Sequence, residues 1–412
     1  MDRKQNGISL TGFILTAIVV IIVAPLLIIF GTAAVLQFTE EPTTFDTGAA
    51  ENISFTPLKN IVPGIAPGDT IPDSLKLHSS NNNLDIVKFK DRYYFSFRSA
   101  PTHFASTQTI LYVLSSGDAN NWEYETEFKM GADLREPRFL VFRDKLFLYC
   151  FQGGTNPLAF QPDHMYASEF VSKGEWTEPK PIYEPGYVVW RAKEHNGKAY
   201  MSVYYGVGLY TNQSEPGHLR LLESDDGYNW RMVNGKEAYS KYSAEEGEFE
   251  FDDEGNLYAT IRLEMLGGGV CFAPKEDISA WECKLTEYKY DSAVMFRHGA
   301  DFYVIARRNV AGKYNRSSTL LPENMRSLWY LLRYSLTRKR TALYRVDKNN
   351  LELVPIMDFP SCGDTAYAGV VKTGADKYLV YNYSSNIDGF DWSWIGGQIA
   401  GSNIYSTELE FK

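Results

Sequence analysis

The sequence lacks the residue spacings that metal sites use. It contains 6 histidines and 4 cysteines, and none of them form a Cys-x-x-Cys or a His-x-x-x-His pair. Zinc sites in proteins are usually built from such closely spaced ligands. We therefore expect no zinc site, and no motif in the chain calls for a cofactor.

A surplus of positive charge is also missing. Lys and Arg number 41 against 51 Asp and Glu, which gives a net charge of −10. Proteins that bind nucleic acid neutralise phosphates with a surplus of basic residues. This balance therefore argues against a nucleic acid partner, although a local basic pocket is still compatible with it. Aromatic residues make up 15% of the chain, with 28 tyrosines, and this composition favours β-strands.

Charged residues are absent from one long stretch near the N-terminus. Lys4 is the last charge before Glu40, and residues 8–36 are almost wholly apolar. Such a run is long enough to cross a bilayer core of about 30 Å. A cleaved signal peptide is the alternative, but its apolar region usually has only about 7–15 residues. We predict a transmembrane signal-anchor over residues 8–37.

The charges on either side of this segment predict its orientation. Arg3 and Lys4 precede it, and Glu40 and Glu41 follow it. The positive-inside rule then places residues 1–7 in the cytoplasm and everything after the segment outside. The expectation is a single-pass membrane protein whose main domain is extracytoplasmic, at the cell surface or in the periplasm.

Two further features fit an extracytoplasmic chain. Disulfides are permitted there, and Cys271 and Cys283 flank a short turn, where they could bridge one hairpin. Residues 38–75 contain Thr, Pro and Gly with weak periodicity. They are interpreted as a linker that ends in a strand near residues 74–77.

Residues 76–412 repeat one pattern: a strand, a tight polar turn, and a second strand rich in Tyr, Phe and Val. Asn196-Gly197 is the clearest turn, because Asn-Gly is a strong hairpin signal. Two weaker strands follow most copies. Six four-stranded units at a spacing of roughly 45–70 residues predict an all-β, six-bladed propeller. The predicted hairpins cover residues 84–97, 139–151, 188–205, 248–262, 293–306 and 366–383.

The second half of three units has a recurrent Asp and Trp. Asp118 precedes Trp122 by four residues, and the same interval separates Asp226 from Trp230 and Asp277 from Trp281. An isolated case would be an ordinary turn stabilised by an Asp side chain. Three recurrences at the same place in the repeat indicate a shared structural role.

The Ser-x-Asp-x-x-x-Trp pattern resembles a shortened Asp-box, the repeat of sialidases and related BNR-repeat proteins. Further stretches resemble a bacterial, sialidase-like branch of that superfamily, and the resemblance covers roughly residues 78–412. It implies a six-bladed propeller that acts as an exo-acting glycoside hydrolase on extracellular or surface glycans. The stretches are YYFSFR at 93–98, DLREP at 133–137, Trp190-Arg191 with residues 195–200, residues 246–262, and GDTAYAG at 363–369.

Polar residues recur where a propeller would place a site. The first strand of each blade lines the central channel, so first-strand starts and second-strand ends lie at one mouth. Arginines at this mouth suit a sugar acid, because guanidinium grips a carboxylate through two hydrogen bonds. Each arginine alone could instead form a structural ion pair. The residues are Asp85, Asp133, Arg135, Glu136, Arg191, Glu246, Asp364 and Tyr367 at strand starts, and Arg98, Tyr205, Arg262, Arg307 and Tyr383 at strand ends.

Tyr367 and Glu246 form the sharpest candidate pair. Tyrosine is a poor nucleophile at its usual pKa near 10 and needs a base beside it. Sialidases use a Tyr nucleophile, and the resemblance implies that Tyr367 is this nucleophile and Glu246 its partner. It also implies that Arg262 and Arg307 match the second and third arginines of the sialidase triad.

The chain departs from true sialidases at two points. The Arg-Ile-Pro motif with their first triad arginine is absent, and Arg98 or Arg135 could substitute for it. Their general acid is an Asp in a first-blade loop, but the loop at residues 99–108 holds none. His103 in that loop, Asp133 or Glu136 could serve as the acid instead.

Two other functions remain open from the sequence. One is a non-catalytic propeller that binds glycans or a protein. The other is a different carbohydrate enzyme on the same scaffold, such as an arabinanase-like hydrolase or a polysaccharide lyase, since fold does not fix function. An insertion at residues 311–332 could cover the site as a lid or contact a neighbouring subunit in an oligomer.

Overall fold

The computed structural model describes residues 19–40, 42–64, 70–208, 217–264, 266–313 and 322–412. Within these ranges 26 strands form six antiparallel sheets. Each of the six predicted hairpins is confirmed as the first two strands of a sheet. The innermost strands of the six sheets, which begin at residues 80, 134, 187, 244, 291 and 365, touch one another in a closed circle. The fold is therefore the predicted six-bladed propeller.

The strands are grouped here by blade. Blades 1 and 2 contain, respectively, β3 Ser80–Phe89, β4 Arg92–Ala100, β5 Ile110–Ser116 and β6 Glu123–Phe128, and β7 Leu134–Phe142, β8 Lys145–Gln152, β9 Met165–Ser172, β10 Glu175–Trp176 and β11 Lys180–Ile182. Blades 3 and 4 contain, respectively, β12 Tyr187–His195, β13 Lys198–Tyr205, β14 Leu219–Ser224 and β15 Arg231–Met232, and β16 Ala244–Phe251, β17 Leu257–Leu263, β18 Gly267–Ala273 and β19 Glu282–Thr286. Blades 5 and 6 contain, respectively, β20 Asp291–His298, β21 Asp301–Asn309, β22 Lys339–Asp347 and β23 Glu352–Phe359, and β24 Thr365–Lys372, β25 Lys377–Ser384, β26 Asn403–Phe411, β1 Ile53–Phe55 and β2 Lys59–Val62.

Helices are few among the described residues. A π-helical turn at Val19–Val23 leads into α1, and a 3-10 turn covers Val233–Gly235; the three α-helices are α1 Ala24–Thr39, α2 Glu323–Leu336 and α3 Trp394–Ala400.

The N-terminal segment closes the ring. Strands β1 and β2 both pair with β26, with Ile53 opposite Phe411 and Lys59 opposite Ser406. Without them the outer edge of β26 would carry unpaired backbone groups. The stretch expected to be a linker, residues 38–75, therefore contributes two strands to blade 6, while residues 74–77 form no strand. The sequence could not show this because the pairing partner lies about 350 residues away in the chain, and strand pairing is non-local.

The Asp-Trp turns join neighbouring blades. In blade 1, Asp118 Oδ1 accepts hydrogen bonds from the backbone amides of Asn120 and Asn121. Trp122 is buried against Tyr381 of the preceding blade, whose hydroxyl donates to the Ala119 carbonyl. Blade 3 repeats this arrangement with Asp226, Trp230, and Tyr149 of blade 2. In these two blades the recurrence predicted from sequence is thus a contact that holds adjacent blades together.

Two predictions about the extracytoplasmic chain have different outcomes. The expected bridge is present, because Cys271 and Cys283 lie opposite each other on β18 and β19 and form a disulfide. In contrast, no helix within the described residues is both long enough and apolar enough to cross a membrane. The predicted transmembrane segment is therefore not supported, and its residues 8–18 lie outside the described ranges.

Ile61→Ala should destabilise the whole propeller although it falls in the stretch first interpreted as a linker. Ile61 is fully buried in β2, and removing a buried Ile side chain typically costs about 2–5 kcal/mol of unfolding free energy. Urea unfolding of the variant checks this. Lys59→Ala, at an exposed position of the same strand, is the matched control. Equal stability of the two variants would show that β2 does not close the ring.

Candidate functional site

A β-bulge interrupts every innermost strand near its start. The register shifts between Asn82 and Leu84, Arg135 and Arg138, Val189 and Arg191, Glu245 and Glu248, Asp291 and Val294, and Ala366 and Gly369. In five of the six bulges a non-glycine residue adopts a positive φ, namely Asn83, Glu136, Glu246, Ser292, and Ala366 with Tyr367. Bulges re-aim side chains and are common beside active sites.

These bulged residues surround one cavity at the mouth of the channel, called here the mouth cavity. Its volume is ≈ 770 Å³, within the usual range for small-molecule sites. Nine of the predicted site residues line it: His103, Asp133, Arg135, Glu136, Glu246, Arg262, Arg307, Tyr367 and Tyr383. The channel mouth therefore brings together residues from blades 1, 2, 4, 5 and 6, as the propeller geometry predicted.

Four predicted substrate-binding residues are buried behind the cavity and do not line it. Arg98 donates to Asp133 Oδ1 at 2.8 Å and to the carbonyls of Thr102 and Phe104, so it supports the loop that carries His103. Asp364 accepts from Trp394 Nε1 at 3.0 Å and lies 2.6 Å from His103 Nδ1.

The other two form an ion pair of their own. Arg191 donates to Glu248 at 2.6 Å and lies 3.5 Å from Asp85. The predicted role of Arg98, Arg191, Asp85 and Asp364 in substrate binding is therefore corrected to one of support, because buried charges are stable when they are paired.

The three arginines at the cavity each have an acidic partner. Arg135 pairs with Asp133, Arg307 lies 3.2 Å from Asp291, and Arg262 donates to Glu246 at 2.7 Å and to Glu264. A guanidinium has five N–H donors, so a partner on one edge does not prevent a ligand from binding another. The Arg307 guanidinium also lies over the ring of Trp394, 4.6 Å from its centroid.

A buried acidic cluster lies behind Arg262. Burial raises the pKa of Glu245 well above its usual value. Burial also opposes ionisation of Glu264 and Asp291, but Arg262 and Lys289 outweigh it, so both pKa values are lowered. The carboxyl groups of Glu245, Glu246, Glu264 and Asp291 thus share this region with Arg262, Lys289 and Arg307.

The candidates for a general acid differ in their charge state. Burial alone would raise the pKa of Asp133, but Arg135 and Arg98 outweigh it and lower this pKa, so the carboxylate stays ionised. Burial lowers the pKa of His103 despite its contact with Asp364, which leaves the imidazole neutral at pH 7. Glu136 is the exception, because burial, with an additional contribution from Glu246, raises its pKa to about 8. Glu136 is therefore the acid that still carries its proton at neutral pH.

Tyr367 lies in the cavity floor without a hydrogen bond. Its hydroxyl has no partner among the described residues, so the expected hydrogen bond to Glu246 is absent. Glu246 instead accepts from Arg262 and from the backbone amide of Ser292. One carboxylate oxygen of Glu136 is also buried without a partner. Two potential reactants in the same cavity therefore have free hydrogen-bonding capacity.

Several residues at the site were missed by sequence reasoning. Arg138 lies beneath the Tyr367 ring, with its guanidinium carbon 4.0 Å from the ring centroid, and Trp190 meets the same ring edge-on at 5.2 Å. Tyr334 of α2 donates to Asp291 and accepts from Arg307. The described part of the 311–332 insertion thus leads into a helix that supports Arg307. Residues 314–321 lie outside the described ranges.

No protein-family model and no curated protein matches the chain, but solved structures do. A protein of unknown function from Dyadobacter fermentans matches with a TM-score of 0.58 and 16% identity, over 88% of this chain and 100% of that one. Trypanosoma rangeli sialidase in complex with sialic acid matches with a TM-score of 0.55 and 14% identity, over 87% of this chain and 59% of that one. A K499G mutant of NanB sialidase from Streptococcus pneumoniae matches with a TM-score of 0.55 and 9% identity, over 81% of this chain and 68% of that one.

The fold and the mouth cavity together define a six-bladed propeller with a ligand-sized site at one end of its channel. Its fold is similar to that of the sialidase propellers, as the resemblance in the sequence indicated. At these identities the likeness concerns the fold. The chain also spans only 59% of the length of the Trypanosoma rangeli enzyme.

Glu136→Gln should change how stability depends on pH. The folded chain keeps the Glu136 proton up to pH about 8, whereas an unfolded Glu releases it near pH 4.3. Wild-type stability therefore falls as pH rises between these values, by up to about 5 kcal/mol. The neutral Gln removes this loss, so its stability advantage should grow from pH 4 to pH 8.5 in urea unfolding. Glu178→Gln, at an exposed position, is the control. Parallel pH curves for wild type and Glu136→Gln would contradict a protonated Glu136.

Proposed function

We propose that the protein is an exo-acting glycoside hydrolase that removes a terminal sugar from extracellular or surface glycans. The observation that carries the proposal is the mouth cavity, where the unpartnered hydroxyl of Tyr367 and the protonated, partly unpartnered carboxyl of Glu136 lie among three arginines. A nucleophile, a proton donor and cationic groups in one concave site are the components of glycoside cleavage.

The proposed roles follow from the charge state of each group. Tyr367 Oη attacks the anomeric carbon while the glycosidic C–O bond breaks. The phenolic proton passes to the carboxylate of Glu246, which lines the same cavity. Glu136 gives its proton to the leaving oxygen, because Asp133 is ionised and His103 is neutral at pH 7. Water then releases the sugar from Tyr367, and Glu136 takes up a proton from that water. His103 and Asp133 position Arg135 through the His103 carbonyl and the Asp133 carboxylate.

An acidic sugar is the favoured substrate class. Arg135, Arg262 and Arg307 line the cavity together, and guanidinium groups bind carboxylates in a planar, two-pronged geometry. Similarity to a sialidase that is described in complex with sialic acid supports the same choice. The acidic partners of the three arginines weaken the attraction of these arginines for a substrate carboxylate. We therefore expect selectivity for acidic over neutral glycosides to be moderate.

A non-catalytic glycan or protein binder is the second candidate. The absent hydrogen bond between Tyr367 and Glu246 favours it, because a tyrosine nucleophile needs a base within reach. Ligand binding in the mouth cavity without turnover of any glycoside would select this candidate over the hydrolase.

The location outside the cytoplasm stays a prediction. The Cys271–Cys283 disulfide supports it, since such bonds persist in oxidising compartments. We also propose that a membrane anchor at residues 8–37 holds the propeller at the surface. An oligomeric assembly is a further part of the proposal.

Tyr367→Phe should abolish hydrolysis without unfolding the protein. The substitution removes only the hydroxyl, which has no hydrogen bond to lose, while it removes the nucleophile. Initial rates of the full chain with chromogenic sialosides, uronides and neutral glycosides, followed by thermal unfolding, test this. Tyr93→Phe, on β4 and outside the mouth cavity, is the matched control. Undiminished turnover by Tyr367→Phe would exclude this nucleophile.

Glu136→Gln should affect substrates according to their leaving groups. A general acid contributes typically 10²–10⁴-fold, and mostly for poor leaving groups. We therefore expect a loss of this order, about 10²-fold or more, on alkyl glycosides and a much smaller loss on 4-nitrophenyl glycosides. The ratio of the two kcat/KM values measures the effect. An equal loss on both substrates would mean that Glu136 does not protonate the leaving group.

A further inference from the structure

Arg138 is a buried cation without an acidic partner. It lies on β7 with 1% of its surface exposed, and no carboxylate among the described residues lies within ion-pair distance of it. Its Nε donates to the Trp190 carbonyl, and its Nη2 has no hydrogen-bond partner. Burying an unpaired charge is costly, so its retention at this place calls for a reason.

The other buried arginines around the site show that this arrangement is particular to Arg138. Each of them contacts at least one carboxylate: Arg98 contacts Asp133, Arg191 contacts Glu248, Arg262 contacts Glu246, and Arg307 contacts Asp291. The Arg138 guanidinium instead lies 4.0 Å from the centroid of the Tyr367 ring and 5.0 Å from that of the Trp190 ring. Its positive charge is therefore directed at the aromatic ring of the proposed nucleophile.

A cation over an aromatic face attracts the electrons of that ring. The attraction is stronger when the ring belongs to a phenolate, because a full negative charge is then shared between the oxygen and the ring. Burial raises the pKa of Tyr367 well above its usual value, and Arg138 is the largest charge that acts in the opposite direction. Glu136 and Asp85 raise this pKa further, and Arg191 lowers it.

We propose that Arg138 is a positioning residue for Tyr367, which holds the ring in place and stabilises the negative charge that develops on its oxygen. This inference rests on the proposed hydrolase. In the first half-reaction the bond from Tyr367 Oη to the anomeric carbon forms, the glycosidic C–O bond breaks, Glu246 receives the phenolic proton, and Glu136 protonates the leaving alcohol.

In the second half-reaction an oxygen of water bonds to the anomeric carbon, and the bond to Tyr367 breaks. Glu136 receives the water proton, and Tyr367 leaves as a phenolate that regains its proton from Glu246. The phenolic oxygen is partly anionic in both half-reactions, so a cation fixed beneath the ring lowers both barriers. Arginine suits this position because it remains charged when buried.

The first measurement needs no substrate. A fluorinated tyrosine at position 367, whose phenol is more acidic, brings the titration into an accessible range, and its ¹⁹F chemical shift follows the charge. We expect its pKa to rise by roughly one unit or more in Arg138→Met, the size of shift that a nearby charge produces, and to rise less in Arg138→Lys. Should Arg138→Met fold poorly, Arg138→Lys and wild type still give the comparison, since Lys keeps the charge but not the planar contact.

Arg308→Met is the matched control. Arg308 is also buried and lies over an aromatic ring, 3.9 Å from the centroid of Phe45, but it pairs with Asp358 away from the mouth cavity. Its loss should leave the titration at position 367 unchanged. The same pKa at position 367 in Arg138→Met and in wild type would overturn the inference.

The second measurement is the pH profile of kcat. Arg138→Met should lower kcat by about 10²-fold, the scale found for a single preorganised charge, and should shift the pH dependence, whereas Arg138→Lys should recover part of the rate. A lower kcat with an unchanged pH profile would mean a merely structural role. No turnover by wild type together with the expected titration shift would overturn the proposed hydrolase and leave the contact between Arg138 and Tyr367 established.

Discussion

The bulge in each innermost strand is the constraint on which the site depends. A regular strand alternates its side chains between two faces, so residues near its start would be hidden between blades. In blades 1, 2, 4, 5 and 6 a bulged residue lines the mouth cavity, and each of these five bulges holds a non-glycine residue at positive φ. Such conformations cost on the order of 1–3 kcal/mol each and persist only where the surroundings fix them. At Glu246 the hydrogen bonds from Arg262 and from the Ser292 amide supply part of this constraint.

Electrostatic pairing explains why so few of the polar groups at the mouth are available for chemistry. Asp133 is held between Arg98 and Arg135, and Arg262 is surrounded by acids. Paired groups fix the shape of the cavity, and of these groups the proposed mechanism uses only Glu246 to carry a proton. Tyr367, Glu136 and Arg138 have no such partner among the residues that the structure describes, and Glu136 and Arg138 both shift the pKa of Tyr367. In the proposed hydrolase, pairing therefore separates most of the supporting groups from the nucleophile and the proton donor.

The sequence predicts the fold well because its signals are local. Alternation and short turns identify all six hairpins, and the Asp-Trp interval identifies the turns that join blades. The partner of β2 and the role of the linker are invisible, since they depend on β26 at the other end of the chain. At the site, the sequence predicts which arginines and acids meet but not which of them pair. Sequence reasoning missed Arg138 because Glu136 and Arg138, two residues apart, would face the same side of a regular strand. The bulge between Arg135 and Arg138 instead places Glu136 at the cavity and Arg138 under the Tyr367 ring.

The first-blade loop lacks the Asp that serves as general acid in sialidases, but this absence does not exclude a general acid elsewhere in the site. A loop acid depends on loop closure for its position, whereas Glu136 is carried by the backbone of a ring strand. Its proton is retained through burial, with the Glu246 charge nearby, and not through a specific hydrogen bond. An acid of this kind is sensitive to water, because solvation of the open cavity would lower its pKa. In the proposed hydrolase, a substrate that fills the ≈ 770 Å³ cavity and expels water would keep the proton on Glu136 until the leaving oxygen takes it. Substrate binding and proton donation would then be coupled by the same burial.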